Sequence, residues 1–261
     1  MFPYRDENET QRTPYMTVAL IALNVLVWLF VQGAGQPRAL AASVCNQGLI
    51  AGELTGKVPP GTGFEMDRGL GLVCYTDPGR QPFNLLSSMF LHGSWIHLLG
   101  NMWFFWIFGN NIEDSMGHGR FVVFYLLCGL VAALTQVLMA PASLIPMVGA
   151  SGAISGIMGA YLVLYPRVRV YALVPLVFFI TTVALPAWMM LGYWMLLQFF
   201  GVLSSFDREG GGVAFWAHVG GFVAGVILIK LFARRDYIVA HEGHWRPRRL
   251  GWGSSDREWW W

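Results

Sequence analysis

The 261-residue chain is 55% hydrophobic and only 12% charged, with a formal net charge of +2 and a mean hydropathy of +0.49. That balance excludes a disordered segment, a nucleic-acid-binding module with its basic footprint, and an ordinary water-soluble domain. The chain reads as a membrane protein whose first partner is the lipid bilayer, and its 31 Gly and 12 Trp suit helices that pack closely and anchor at interfaces.

Residues 1–14, MFPYRDENETQRTP, carry mixed charge and are expected to form a cytoplasmic N-terminal segment. A helix rising about 1.5 Å per residue needs about 20 apolar residues to cross a hydrocarbon core of about 30 Å. Six runs are candidates: Tyr15 to Gln32, Ser94 to Asn110, Phe121 to Leu138, Gly149 to Tyr165, Pro186 to Leu203 and Val213 to Phe232. The first lacks a small-residue cleavage pattern, so it reads as a retained helix and not as a signal peptide. A long loop from Gly33 to about Phe83 follows it, and a GHGR turn, an APASLIP stretch and the polar SSFDREGGG segment separate later runs. The stretch VYALVPLVFFITTVALP, with two prolines, reads as an extended or hairpin-like lead-in to the fifth helix. Residues 236–261, polar apart from their Trp, are expected to be a cytoplasmic tail. The expected fold is an all-α membrane protein: a six-helix bundle over residues 15–235 with a long first extracytoplasmic loop.

An even number of spans puts both termini on one side. Arg120, Arg167 and Arg169 in the short connections share that side with Lys230, Arg234 and Arg235, which makes it cytoplasmic by the positive-inside rule and predicts a multi-pass protein of the cell membrane. Cys45 and Cys74 both fall in the long outer loop, where disulfides can form, and a bridge between them is expected; two unpaired buried thiols are the alternative.

Strongly hydrogen-bonding side chains at membrane depth are costly, so each is a functional candidate. The second run carries His97 and Asn101, four apart and so on one face, with His92 just before it; the fourth begins at Ser151 in GASGAISG; the sixth contains His218 in AHVGGFVAG. Counted from the cytoplasmic ends, Ser151 and His97 lie roughly 24 Å up and Asn101 and His218 roughly 18 Å up, one layer beneath the outer surface. Gly152, Gly156 and Gly159 form a small-residue face on the fourth run, and Ala217, Gly221 and Gly225 form one on the sixth, so these backbones can approach closely. Packing alone would explain both faces; the matching depth of a serine and a histidine on them points further.

A neutral imidazole within reach of a serine hydroxyl can take its proton and later return it to a leaving amine. Ser151 and His218 suit that pair. No Asp or Glu lies within a span, so a dyad is expected in place of a triad. The Ser151 amide at a helix start, together with side-chain donors on His97 and Asn101, can face a developing oxyanion. The plainer reading of His97 and Asn101 is a pair that glues helices together. Ser155, one turn on, competes as nucleophile but its amide is committed to the helix. His92 and His97 are five apart, which does not match a zinc-binding helix, and no metal is expected. His118 is expected to be solvated. A transporter would need charged or repeated midplane sites, and neither is seen.

The HGSWIHLLGN segment, the GASG serine heading a span, the AHVGGFVAG segment and the six-helix plan with a long first loop resemble the rhomboid family of intramembrane serine proteases, over about Tyr15 to Phe232. The resemblance implies Ser151 as nucleophile, His218 as general base, His97 and Asn101 as oxyanion donors, and no cofactor. It further implies transmembrane protein substrates, cut near the outer membrane boundary at small residues and admitted beside the fifth helix. The glycines 149, 152, 156, 221 and 225 take structural roles in this reading, and the IEDSMGHGRF turn with Glu113, Gly117 and Arg120 resembles a structural motif of the family. Two positions depart from it. Many rhomboids have Trp-Arg ahead of the histidine-bearing helix where this chain has Phe83-Asn84, and some have an aromatic ring one turn after the nucleophile where this chain has Ser155. Non-proteolytic relatives usually lack a dyad member; this chain lacks neither.

Overall fold

The computed structural model describes residues 2–67, 69–175, 180–205 and 214–239. The expectations for residues 240–261 of the tail, for 206–212 of the polar segment and for 176–179 of the lead-in lie outside them.

The chain opens with strand β1 (Phe2–Asp6) and then enters helix α1 (Tyr15–Leu26), continued by a π-helical stretch over Val27–Val31. Pro14 cannot cap α1 with a side chain, and the cap comes from 96 residues away. The Glu113 carboxylate accepts from the Met16 amide at 2.9 Å, the Thr17 amide at 2.7 Å and the Thr17 hydroxyl at 2.7 Å. A negative group against the first turn satisfies amides that have no intrahelical acceptor and complements the helix dipole. Glu113 is 1% exposed, so Glu113→Ala is expected to leave these amides unpaired and to cost about 1–3 kcal/mol for each. A thermal melt of the purified protein in detergent should fall accordingly, while an unchanged melt would show that the cap contributes nothing.

The first loop holds more regular structure than its sequence suggests. It contains α2 (Pro37–Gln47), α3 (Ala51–Thr55) and an antiparallel hairpin of β2 (Gly63–Asp67) and β3 (Leu72–Tyr75). A Cys45–Cys74 disulfide joins α2 to β3 with the Cα atoms 5.6 Å apart. Next comes the short α4 (Asn84–Ser87), where the buried Asn84 amide donates to the carbonyls of Asn46 and Gly48 at 3.3 and 3.1 Å, tying the end of the loop to its middle.

Helix α5 (Trp95–Met116) is capped by the Ser94 hydroxyl, which accepts from the His97 amide at 3.1 Å. It runs past the expected end at Asn110 because its charged last turn is buried usefully. Glu113 caps α1, and Asp114 takes the backbone amides of Gln11 and Arg12 together with the Arg12 guanidinium at 3.0 Å. After Gly117, whose φ of +84° favours glycine, α6 (His118–Met139) turns back. His118 is not simply solvated: its Nδ1 lies 2.5 Å from the Glu113 carboxylate. Arg120 makes a different contact, donating to the Phe232 carbonyl at 3.2 Å.

Helix α7 (Ser151–Leu164) leads into β4 (Arg169–Pro175) and β5 (Ile180–Pro186), followed by α8 (Ala187–Ser205) and α9 (Phe215–Phe232). The lead-in to α8 is therefore a β-hairpin, and β1 joins it to make a three-stranded antiparallel sheet in the order β1-β4-β5. This corrects the expectation of an all-α protein: the chain is mostly helical, and residues 2–6 are a sheet strand. Asp6 at the end of β1 is held by the Tyr161 hydroxyl at 2.6 Å and the Asn111 amide at 2.9 Å, so the sheet is bolted to the C-terminal ends of α7 and α5.

The core is aromatic, with Phe105, Phe108, Phe121, Phe124, Tyr125 and Tyr161 inaccessible to solvent and Phe105 stacked on Tyr125 at 5.2 Å. The outside is apolar too. Phe30 is 79% exposed, Ile96 85%, Leu138 73% and Leu231 74%, as lipid-facing surfaces require. Among the described residues, α6 and α9 are long and apolar enough to cross a membrane by length and composition, and Tyr15–Val31 and α7 are shorter apolar helices.

Candidate active site

Helices α7 and α9 meet through their glycine faces. A Cβ on Gly221 would overlap the Gly152 carbonyl oxygen, one on Gly225 would overlap the Gly156 carbonyl oxygen, and one on Gly159 would overlap that of Phe222. On the other side of α7, a Cβ on Gly152 would sit 2.6 Å from the Ala132 Cβ of α6. Backbones this close set side chains at matching heights within hydrogen-bond reach across the interface.

Ser151 is the first residue of α7 and His218 lies in the first turn of α9. The Ser151 hydroxyl is 2.7 Å from His218 Nε2. His218 Nδ1 is in turn 2.7 Å from the side-chain oxygen of Gln198 on α8, and the Trp194 ring packs against the imidazole with centroids 5.7 Å apart. Trp194 places an aromatic ring beside the imidazole, tilted to it by 42°, where the Ser155 position supplies none. Ser155 is wholly buried, and its hydroxyl donates to the Ser151 carbonyl at 2.6 Å, an i to i−4 bond that commits it to the helix backbone.

His97 and Asn101 approach from α5. Gly149, two residues before Ser151, has φ +129°; a Cβ there would lie 2.8 Å from His97 Nε2 and 3.5 Å from Asn101 Nδ2. Its bare backbone leaves room for both groups beside the start of α7. The Gly93 amide donates to His97 Nδ1 at 3.3 Å, so that nitrogen is an acceptor and the ring proton sits on Nε2, the atom facing Gly149. Asn101 Nδ2 is buried and has no acceptor among the described residues. The Ser151 amide, at the first helical position, has no intrahelical partner. Three donors thus collect around the head of α7. His92 is fully buried against His97, with ring centroids 5.1 Å apart, and its backbone is gripped on both sides by the Gln32 side chain at 2.7 and 2.8 Å.

The arrangement can do nucleophilic acyl chemistry: a hydroxyl against an imidazole nitrogen, with N–H donors beside it. Of the sequence candidates, Ser151 and His218 come together, and His97, Asn101 and Gly149 gather next to them. Glu113 and Arg120 lie at the far end of α5 and in α6, and Cys45 and Cys74 lie in the first loop, as structural contacts. Gln198 was not foreseen. Its signal was present, since it is the one Gln, Asn or His in the fifth apolar run, and the reasoning that singled out Asn101 applies to it equally.

A family profile described as the Rhomboid domain matches residues 79–235. The chain is 38% identical over 84 residues to RHOMBOID-like protein 6, mitochondrial, of Arabidopsis thaliana, covering 32% of this chain and 27% of that protein. It is 36% identical over 80 residues to Rhomboid protease GluP of Bacillus subtilis (strain 168), covering 31% and 15%. With RHOMBOID-like protein 4 of Arabidopsis thaliana it is 31% identical over 151 residues, 58% of this chain and 34% of that protein. The aligned segments thus span about a third or less of these relatives' lengths, yet the domain match covers more than half of this chain and every residue gathered at the head of α7: the chain belongs to the rhomboid family.

Proposed function

We propose that the chain is an intramembrane serine endopeptidase that cleaves transmembrane protein segments near the outer membrane boundary, with Ser151 as nucleophile and His218 as general base. The observation that carries this is the 2.7 Å contact between Ser151 Oγ and His218 Nε2 at the start of α7, on a chain whose outer faces are apolar. Membership of a family that includes a named protease supports it. The six apolar runs are read as six spans, with the N-terminal sheet and both termini on the cytoplasmic side of the cell membrane.

The chemistry follows from the geometry. His218 Nε2 takes the Ser151 proton as Oγ attacks the scissile carbonyl, whose π electrons move onto its oxygen. That oxyanion accepts from the Ser151 amide, His97 Nε2 and Asn101 Nδ2, donors already in place before charge develops. Collapse of the intermediate expels the amine, which receives the proton from His218, leaving an acyl-serine. Water, deprotonated by the same imidazole, then releases the acid and restores the hydroxyl.

A fluorophosphonate probe that modifies activated serines tests the reading. Wild-type protein in detergent should label, and Ser151→Ala and His218→Ala should not, while Ser155→Ala still labels. Labelling of Ser151→Ala at the wild-type rate would remove Ser151 as the nucleophile.

A further inference from the structure

We propose that Gln198 is the positioning residue of His218, a neutral third member of the site that fixes which imidazole nitrogen carries the proton; this rests on the protease reading above. An imidazole can serve Ser151 only if Nε2 has its lone pair free, which requires the proton on Nδ1. The Gln198 side-chain oxygen sits 2.7 Å from Nδ1 and accepts that proton's hydrogen bond.

The surroundings favour one sense of the amide: Gln198 Nε2 faces the Trp194 carbonyl of the preceding turn at 3.5 Å while the amide oxygen faces His218 Nδ1 at 2.7 Å. Rotating the amide by half a turn would point its oxygen at the Trp194 carbonyl oxygen and its N–H groups at Nδ1. Nδ1 would then become an acceptor and the proton would move to Nε2, facing Ser151 with a donor where an acceptor is needed. The order of control runs from the α8 backbone carbonyl to the amide, from the amide to the tautomer, and from the tautomer to the serine. Trp194, packed on the same ring, supplies the remaining constraint on its plane.

Residue type and place agree. An amide supplies that acceptor without a formal charge among apolar helices, and a carboxylate in its place would have the imidazole ring as its partner. The amide still provides an acceptor dipole as the imidazolium forms, and no proton leaves Nδ1 during the reaction: Nε2 alone receives and returns it. Gln198 touches neither substrate nor the reacting atoms, so its effect belongs to orientation.

The test uses the full chain in detergent and compares fluorophosphonate labelling rates for wild type, Ser151→Ala, Gln198→Leu and Gln198→Glu, with melting temperatures alongside. Gln198→Leu removes the acceptor and is expected to slow labelling roughly 10- to 100-fold, by analogy with removing the hydrogen-bond partner that orients a metal-bound histidine. Gln198→Glu keeps an acceptor oxygen at the same reach and should recover most of that loss. With a cleavable transmembrane peptide, the Leu variant should lose kcat and keep KM. If wild type and Ser151→Ala label alike, the protease reading fails and the positioning role goes with it. Should those two differ while Gln198→Leu labels like wild type, or should Leu and Glu lose equally, the positioning role alone is overturned. Histidine nitrogen-15 spectra of the unmutated protein read the tautomer directly and need no Gln198 variant, the His218 signals being assigned by their absence in His218→Ala. Above the titration of the ring, a proton on Nδ1 and a bare Nε2 are expected, and a proton on Nε2 would refute the assignment.

Discussion

Ser151→Ala is expected to lower kcat for a cleavable transmembrane segment by about six orders of magnitude, and His218→Ala by a similar factor, on the scale seen when a serine nucleophile or its base is removed. That loss corresponds to about 8 kcal/mol of transition-state stabilisation. The reason for near-equality is physical: a base 2.7 Å from the hydroxyl has no proton to take once the hydroxyl is gone, and a hydroxyl without the base stays protonated. The double variant should therefore be no slower than either single one, and a residual acceleration of about 10³–10⁴ should remain from binding and from the donors on Ser151, His97 and Asn101. Single-turnover cleavage of a fluorogenic transmembrane peptide in liposomes measures all three variants. Additive losses would mean that the two residues act on separate steps, and the dyad would have to be given up.

The second large effect concerns packing. Gly225→Ala is expected to destabilise the protein by about 3 kcal/mol, at the upper end of overpacking costs, because the new methyl group would overlap the Gly156 carbonyl oxygen, which is backbone and cannot rotate away. The only relief is separation of α7 from α9, and that separation also pulls Ser151 from His218, so labelling should fall along with the melting temperature. Gly192→Ala provides the contrast. A methyl group on this helical glycine of α8 would meet nothing within 4 Å, and alanine there should stabilise by about 0.4–1 kcal/mol through the unfolded chain. Equal melting temperatures for the two variants would show that α7 and α9 approach each other less closely than these overlaps require.

Legibility differed between elements for identifiable reasons. The starts of α1 at Tyr15 and α7 at Ser151 and the end of α9 at Phe232 were readable, because apolar runs bounded by turn residues act locally. The continuation of α5 to Met116 was not, because the reason for burying Glu113 and Asp114 lies in the first turn of α1 and in residues 11 and 12. The β1-β4-β5 sheet was hidden for the same reason: a five-residue strand of mixed polarity at the N-terminus pairs with a partner more than 160 residues away. The helices and hairpin of the first loop are short and weakly patterned, and the Cys45–Cys74 bridge and the bonds of Asn84 hold them.

By itself the sequence determined the lipid-compatible helices, the glycine faces that let two of them touch, and the hydroxyl, imidazole and amide groups placed at one depth, since periodicity, residue size and the cost of polar groups in hydrocarbon are local properties. Only the tertiary structure decided which nitrogen of His218 faces Ser151, that Gln198 and Trp194 of α8 hold the ring, and that the proton of His97 points at the head of α7. A hydrogen bond's direction depends on partners brought from other helices, and no spacing along one chain segment encodes it.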